Sequence, residues 1–289
     1  MISVCVFAHN EERHIARCLA SLPSAMGAEP VRVHVLANGC SDRTVDTARA
    51  IPRSDVVVLD LPVGDKANAW NTYVHETAPQ ALHHVFIDGD CRAAPSALQW
   101  LVNALAAAPA ANAAAAVPGA GRSQRRARAE MRADHALAGN LYALRGEFVA
   151  RIRQRGLRLP VGTVGEDSLV GLLAKIDLES SGPWRDERVV VSEEARFEFT
   201  PLRPWSPSDL RVLVGRLRRY SLRQIQIQAL RTIWKREGLG AWPDDVRDLY
   251  PRILDGSLPF RLRGRDALCA PLARREISRV AAARGGRPA

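Results

Sequence analysis

The first 120 residues alternate short β-rich runs with helical segments, and this alternation narrows the choice of fold more than any other feature. Short strands separated by helices imply a parallel sheet covered on both faces. The pattern predicts strands over 2–8, 32–37, 55–60, 83–88 and 113–117, and helices over 11–22, 42–51, 66–77 and 95–107. We therefore expect an α/β domain whose ligands bind at the carboxyl ends of its strands.

Polar side chains follow four of the predicted strands. They lie at 9–11 after the first strand, at 38–42 after the second, at Lys66 after the third and at 88–90 after the fourth. Because the carboxyl ends of parallel strands meet at one edge of a sheet, these four segments are expected to converge.

Two acids one residue apart, Asp88 and Asp90, end the apolar run that forms the fourth predicted strand. In an extended chain, residues i and i+2 point to the same side, so both carboxylates can face one ligand. A hard divalent cation held by one or two carboxylates and by substrate phosphates suits this arrangement. The alternative is a simple turn, since Asp-Gly is a common turn dipeptide.

The 289 residues carry a formal net charge of +10, which is unevenly spread. The first 120 residues have a net charge of −3, and the remainder have a net charge of +13. A basic half of this kind suits an anionic ligand or surface. Pro201, Pro204 and Pro207 mark a boundary, and from Ser206 the pattern turns almost wholly helical.

The five cysteines are odd in number and form no Cys-x-x-Cys pair, which argues against a disulfide framework and a zinc site. No apolar stretch approaches the roughly 18–20 residues of a membrane-spanning helix. The first residues resemble a strand rather than a signal peptide. We expect a cytoplasmic protein, with peripheral contact to the inner face of the membrane as a further expectation.

Four short motifs stand in a fixed order along the chain. They are Phe-Ala-His-Asn-Glu-Glu at 7–12, Asn-Gly-Cys-Ser-Asp-Arg-Thr at 38–44, Asp-Gly-Asp at 88–90 and Gly-Glu-Asp at 165–167. Together they resemble the ordered motifs of family 2 glycosyltransferases with the GT-A fold, over residues 1–175. The resemblance implies the α/β class, with a GT-A-type, mainly parallel sheet flanked by helices and a mostly helical C-terminal extension.

The same resemblance implies an inverting, hexosyltransferase-type enzyme that moves a sugar from a nucleotide-diphosphate donor to an acceptor hydroxyl with Mg²⁺ or Mn²⁺. Residues 1–200 would form the catalytic domain that binds the nucleotide sugar. Residues 201–289 would form a helical, basic region on the acceptor side or a lid. The acceptor could be a saccharide, a lipid-linked molecule or a small molecule.

The resemblance also assigns roles on the donor side of the site. Asp90 would hold the metal ion, and Asp88 would contact the nucleoside and share the metal. The nucleotide pocket would be lined by Ala8, His9, Glu11, Asn38, Asp42 and Lys66. Ordinary alternatives exist, because Asn10 and Asp42 could cap helices and Lys66 could be a solvated lysine at a helix start. Family members often have an acid at the position that Ala37 occupies here. Because of this departure, the resemblance does not identify the base of the donor.

By resemblance, Asp167 is the base that takes the proton from the acceptor hydroxyl, with Glu166 as the next candidate. General base catalysis typically contributes ~10²–10⁴-fold. The alternative is an acid at a helix N-terminus, which the helix dipole favours. The sugar side of the cleft would be lined by Gly139, Asn140, Tyr142 and Arg145, and Glu198 would be a conceivable third metal ligand.

The predicted basic helix over 210–237 places Arg216, Arg219 and Arg223 on one face, with Arg218 turned away. Such a stripe could contact the donor diphosphate or anionic lipid, or it could be a solvated helix face.

Two other classes of function compete with glycosyl transfer. A non-catalytic anion- or nucleic-acid-binding α/β protein would fit the basic half, but the basic residues are not interleaved with aromatic residues, so we expect no nucleic-acid partner. A sugar nucleotidyltransferase would need a Gly-rich, Arg-containing loop after the first strand, where this chain has acids instead.

Overall fold

The computed structural model describes residues 1–119, 124–180, 182–200, 207–262, 267 and 269–285. The strands of this part of the chain are β1 (Ile2–Ala8), β2 (Ala25–Met26), β3 (Glu29–Asn38), β4 (Val56–Leu61), β5 (His83–Asp88), β6 (Cys91–Ala93), β7 (Ala113–Pro118), β8 (Leu141–Arg145) and β9 (Val189–Phe199).

These strands form one sheet in the order β4-β3-β1-β5-β8-β7-β9-β6, with β2 paired to the start of β3. The pairs β3–β4, β1–β3, β1–β5 and β7–β9 are parallel. Strand β8 runs antiparallel between β5 and β7, so its first residue lies at the edge where β5 ends. Phe7 is in register with both Leu36 and Asp88, which brings the ends of β1, β3 and β5 together.

The helices alternate with these strands in the first half and dominate the second half. They are α1 (Ile15–Ala20), α2 (Thr44–Arg49), α3 (Lys66–Thr72), α4 (Ala97–Ala107), α5 (Gln124–Asp134), α6 (Gly146–Gln154), α7 (Glu166–Ile176), α8 (Pro207–Glu237), α9 (Tyr250–Leu254) and α10 (Ala270–Gly285). Helix α3 continues into a π-helical turn, Tyr73–Thr77. The mixed α/β architecture and the five predicted strands are confirmed, whereas β2, β6, β8 and β9 were not predicted.

Alternate residues of β1 enter two different hydrophobic clusters, because a strand presents successive side chains to opposite faces. Val4 and Val6 pack with α1 and α4, whereas Cys5 and Phe7 pack with α3 and α7. Both faces of the sheet are therefore covered by helices, which explains why its strands are almost continuously apolar.

Helix α8 packs its buried side chains into the cluster that also contains α7. Leu222, Ile225 and Leu230 of α8 share this cluster with Leu169 and Leu173 of α7. The division at residue 200 stays a prediction, and the predicted boundary residues Pro201 and Pro204 lie outside the described residues. Among those residues, the structure contains no helix that is long and apolar enough to cross a membrane.

Candidate active site

The loops that follow β1 and β3 are hydrogen-bonded to each other at the carboxyl edge of the sheet. Asn10 Oδ1 accepts from the Ser41 amide at 2.8 Å, and the Glu12 amide donates to Asp42 Oδ2 at 3.1 Å. Asn10 therefore does not cap a helix, because α1 begins only at Ile15 and its N-cap residue makes no side-chain cap. The two predicted nucleotide loops meet, as expected.

Two predicted pocket acids, Asp42 and Glu11, have different electrostatic surroundings. Burial acts to raise the pKa of Asp42, but hydrogen bonds from Thr44 outweigh it and hold the pKa below its usual range. Burial raises the pKa of Glu11, and the negative charge of Asp90 adds to that rise, although a 2.8 Å contact with His14 opposes it. Asp90 thus lies close enough to Glu11 to affect its protonation.

Ala8, His9 and Asn38 join the ends of β1 and β3. The Asn38 side chain is buried, and its Nδ2 donates to the Ala8 carbonyl at 2.9 Å. A ring nitrogen of His9, Nδ1, lies 2.6 Å from the Asn38 carbonyl oxygen, and the rest of the His9 side chain is exposed. The amide of Asn38 is thus used within the protein, and a contact with a nucleoside stays a prediction.

Asp88 is the last residue of β5, and Asp90 lies in the turn before β6. Between them, Gly89 donates to the Phe7 carbonyl at 2.7 Å. A Cβ at Gly89 would lie 3.0 Å from that oxygen and 3.2 Å from Ala8 Cβ, so a side chain would crowd β1. The segment is a turn, and it also places two carboxylates at the carboxyl edge of the sheet.

Lys66 links this acidic pair to the predicted base motif. Its ammonium lies 2.5 Å from Asp88 and 2.8 Å from Glu166, and it donates to the Gly139 carbonyl at 3.2 Å. The ammonium is thus paired with a carboxylate of each motif and hydrogen-bonded to the backbone between them. The same group also lies 5.2 Å from the centre of the Phe7 ring. Lys66 is therefore a central residue of the site and not a solvated lysine.

The charges around Lys66 shift each other's protonation. Burial raises the pKa of Asp88 to about 7, although the Lys66 ammonium pulls it down and Glu166 pushes it up. Burial likewise raises the pKa of Glu166. Burial acts to lower the pKa of Lys66, but the charges of Asp88 and Glu166 outweigh it and raise the pKa above its usual value. Lys66 thus remains charged, and Asp88 titrates near neutrality.

The predicted base motif forms the start of α7. Glu166 and Asp167 are the first two residues of that helix and are buried, with 3% and 5% of their surfaces exposed. Gly165 precedes them with φ +79°, a left-handed conformation that glycine adopts without strain. Asp167 Oδ2 accepts from the Gly139 amide at 3.0 Å. Gly139 therefore touches both Lys66 and Asp167, and its predicted place in the cleft is consistent with these contacts.

Arg223 of α8 reaches the same helix start. Its Nη2 lies 3.1 Å from Asp167 Oδ2, and its Nε donates to Ser168 Oγ at 3.1 Å. A Cβ at Gly165 would lie 2.5 Å from the Arg223 side chain, so the glycine also makes room for the guanidinium. The charge of Asp167 raises the pKa of Arg223. Sequence reasoning placed Arg223 in a phosphate- or lipid-facing stripe and missed this contact.

The other arginines of α8 face different neighbours. Arg218 forms an ion pair with Glu276 of α10 at 3.2 Å, which confirms the predicted separation of Arg218 from Arg223. Arg219 is exposed and Arg216 is partly exposed. The stripe proposed for Arg216, Arg219 and Arg223 is thus divided, because Arg223 is engaged by α7.

Asp65 and Gln226 support the site and were not singled out from the sequence. Asp65 caps α3 by accepting from the Asn68 amide at 2.7 Å, and its second oxygen accepts from the Gly162 amide at 2.7 Å. Buried Gln226 accepts from the Val164 amide at 2.8 Å. A capping acid before an apolar helix was the available signal for Asp65, whereas the partners of Gln226 are distant in sequence.

Two residues predicted to line the sugar side of the cleft lie elsewhere, and this part of the prediction was wrong. Tyr142 is fully buried and stacks on Phe86 with ring centres 4.7 Å apart. Arg145 pairs with His83 at the opposite end of β5 and donates to the Ala111 carbonyl. Both residues lie in β8, a strand that was not predicted from the sequence. The alternation of side chains along β8 turns Tyr142 into the core, and the length of β8 carries Arg145 to the opposite edge of the sheet.

Asn140 lies beside Asp88, and its place on the sugar side of the cleft stays a prediction. Its Nδ2 is 3.5 Å from Asp88 Oδ2.

Glu198 is exposed on β9, in register with Arg92 of β6. In the described ranges, no group of three or more His, Cys, Asp or Glu side chains is arranged to hold a metal ion. A cation at Asp88 and Asp90 would need further ligands from elsewhere, and a diphosphate provides such oxygens.

Comparisons with known proteins bear on the family and on the fold. A family profile described as "Glycosyl transferase family 2" matches residues 3–165. No curated protein sequence matches the chain. A mannosyltransferase from Pyrobaculum calidifontis, solved with GDP-Man and Mn²⁺, has a TM-score of 0.62 at 20% identity, covering 100% of this chain and 76% of its own.

Glucosyl-3-phosphoglycerate synthase from Mycobacterium tuberculosis, solved with Mn²⁺, UDP-Glc and phosphoglyceric acid, has a TM-score of 0.54 at 21% identity. That match covers 84% of this chain and 81% of the synthase. At these identities the two likenesses concern the fold, which is that of GT-A glycosyltransferases.

Proposed function

The chain belongs to glycosyl transferase family 2, and we propose that it transfers a sugar from a nucleotide-diphosphate donor to an acceptor hydroxyl, with inversion and with a divalent metal ion. The observation that carries the proposal is the Lys66 bridge. This lysine joins Asp88 of the Asp-Gly-Asp motif to Glu166 of the Gly-Glu-Asp motif, so the two motifs lie next to each other.

On the donor side, Asp90 and Asp88 would hold Mg²⁺ or Mn²⁺ together with the donor diphosphate. Two carboxylates with the remaining ligands from phosphates are a usual arrangement for such ions. A bound ion would neutralise negative charge on the departing diphosphate. Ala8, His9, Glu11, Asn38 and Asp42 would line the nucleotide pocket, because they lie at the two loops beside the acidic pair.

The solved relatives support the choice of donor class. One contains GDP-Man and the other UDP-Glc, each with Mn²⁺. We therefore propose a nucleoside diphosphate sugar as donor for this chain and include both donors in the experiments below.

On the acceptor side, we propose Asp167 as the general base. The acceptor oxygen would attack the anomeric carbon, its proton would pass to the Asp167 carboxylate, and the bond from that carbon to the phosphate oxygen would break. The nucleoside diphosphate would leave with the electron pair of that bond. Glu166 is the less suitable candidate, because Lys66 joins its carboxylate to Asp88 on the donor side.

The basic C-terminal region would act on the acceptor side, since α8 contacts the start of α7 through Arg223. We also propose a peripheral contact with anionic membrane. Helix α10 supports this, because Leu272, Arg274, Arg275 and Arg279 are exposed on it. Pelleting with phosphatidylserine liposomes tests the contact, which should weaken when Arg275 and Arg279 are replaced by glutamate. Equal pelleting of both proteins would contradict it.

The test of the main proposal is a thermal-shift screen of GDP, UDP, GDP-Man and UDP-Glc, with and without Mn²⁺ or Mg²⁺. A ligand that binds the native state raises the melting temperature by mass action. We expect a shift with at least one nucleotide, and a larger shift with the metal. No shift with any combination would contradict the proposal.

The role of Asp167 is tested with Asp167→Asn, because an amide keeps the shape of the carboxylate and cannot accept the proton. We expect unchanged donor affinity and loss of nucleoside diphosphate release from the donor. Near-normal release by Asp167→Asn would place the base elsewhere.

A further inference from the structure

Helix α8 holds the start of α7 at two levels, although the two helices are far apart in sequence. Gln226 binds the backbone before the helix, accepting from the Val164 amide at 2.8 Å and donating to the Gly162 carbonyl at 3.1 Å. One turn earlier on α8, Arg223 binds the side chains of Asp167 and Ser168. The first contact fixes the loop, and the second fixes the carboxylate itself.

Both donors that reach Asp167 use the same oxygen. Oδ2 accepts from the Gly139 amide at 3.0 Å and from Arg223 Nη2 at 3.1 Å. Within the described part of the chain, Oδ1 has no hydrogen bond. Two donors that approach one oxygen from different elements restrict rotation of the carboxylate, and the second oxygen is left for another partner. Such restriction is what a proton acceptor needs before substrate arrives.

The contact also has a specific geometry that a surface ion pair lacks. Asp167 exposes 6% of its side chain and Arg223 exposes 27%. The guanidinium binds Ser168 through Nε and Nη2 as well, so its plane is set by two neighbouring side chains. An ammonium in its place could not make this fork of contacts.

We infer that Arg223 is a positioning residue, which orients Asp167 so that Oδ1 receives the proton of the attacking hydroxyl. This inference rests on the proposed function, because it concerns the same transfer. Arg223 is a basic residue outside the segment that the family profile matches, and it acts on a carboxylate just beyond the end of that segment. Transfer would thus depend on α8 as well as on the sheet.

The test compares Arg223→Gln and Arg223→Lys with Arg218→Gln, a control on the same helix whose partner is Glu276 of α10. Release of GDP from GDP-Man and of UDP from UDP-Glc is measured with Mn²⁺, together with donor affinity. We expect Arg223→Gln to lower kcat about 10- to 100-fold with donor Kd unchanged. Arg223→Lys should not restore kcat, and the control should behave as wild type.

Rescue by added guanidinium separates positioning from a purely structural role. Millimolar guanidinium should restore part of the activity of Arg223→Gln and have no such effect on the control.

Wild-type kcat in Arg223→Gln, or a fall in kcat that matches a fall in donor affinity and that guanidinium does not relieve, would overturn the inference. If Asp167→Asn is inactive while Arg223→Gln is normal, the inference fails and the proposed function stands. If Asp167→Asn is active, the base assignment itself fails.

A test without substrate uses melting temperatures of Arg223→Gln, Asp167→Asn and the double variant. Because Arg223 contacts Asp167, Arg223→Gln should lower the melting temperature less in the Asp167→Asn background than in wild type. Additive losses would overturn it.

Discussion

Replacing Lys66 with methionine probes the charge that joins the two halves of the site. The substitution removes the ammonium and keeps an apolar side chain of similar length over the Phe7 ring. It leaves Asp88 and Glu166 without their shared cation. Removing one partner of a buried ion pair costs about 3–5 kcal/mol, and we expect about 3 kcal/mol in metal-free protein at pH 8, because Lys66 and Asp88 are each 26% exposed.

The cost should depend on pH, because Asp88 titrates near neutrality. A protein loses stability as the pH rises from the unfolded-state pKa of a carboxyl to a higher folded-state pKa, because the folded state then binds more protons than the unfolded state. In wild type this value is about 7, so native Asp88 goes from mostly protonated to mostly ionised between pH 6 and pH 8. Without Lys66 the pKa rises further and the carboxyl stays protonated. Native Lys66→Met therefore binds on average half a proton more than native wild type between pH 6 and pH 8. The destabilisation by Lys66→Met should thus be about 1.4 kcal/mol smaller at pH 6 than at pH 8.

The assay is urea unfolding at pH 6 and pH 8 in the presence of a chelator, followed by both tryptophan fluorescence and circular dichroism. Lys175→Met is the matched control. Lys175 is also buried and pairs with Asp186 at 2.6 Å, and that hydrogen bond holds the pKa of Asp186 below its usual range. The cost of Lys175→Met should therefore be equal at the two pH values. A cost of Lys66→Met that does not change with pH, or that is absent at pH 8, would refute the reasoning.

Two other substitutions test the buried core of the sheet and the start of α7. Burial lowers the pKa of His84 to about 3, so the unfolding free energy of wild type should fall by about 2 kcal/mol from pH 7 to pH 5 through this residue. His84→Asn should lack this part of the fall, and equal losses for both proteins in urea unfolding would contradict the prediction. Gly165→Ala should cost about 2 kcal/mol and displace Arg223, since φ is +79° and a Cβ would lie 2.5 Å from that side chain. Gly156→Ala is the control and should cost less, because Gly156 has φ +62° and no atom lies within 4 Å of the added Cβ. Equal shifts of the urea midpoint in the two variants would show that Arg223 moves aside at no cost in stability.

The parts of the fold that could be predicted are those with a local signal. The strand that ends in Asp88 is a short apolar run followed by two acids, and the start of α3 at Lys66 follows a capping Asp65. Strand β8 gave no such signal, because it is five residues long and its place between β5 and β7 is set by pairing with distant segments. Tyr142 and Arg145 were misplaced for this reason.

The site was predictable to the same extent. The loops that follow parallel strands all start at the same edge of the sheet. The strand pattern alone therefore predicts that Asp42, Asp88 and Lys66 lie near this edge. The pairing of Arg223 with Asp167 joins residues 56 positions apart on two helices. No spacing along the chain indicates it, because it depends on how α8 packs against α7.

The most direct test of the account is calorimetric titration of GDP and UDP, with and without Mn²⁺, into wild type and Asp90→Ala. Asp90 lies in a partly exposed turn, so its removal should leave the fold intact. The account predicts that Mn²⁺ strengthens binding of at least one nucleotide to wild type and has little effect on binding to Asp90→Ala. The same Mn²⁺-dependent affinity in both proteins would contradict a metal site at Asp90.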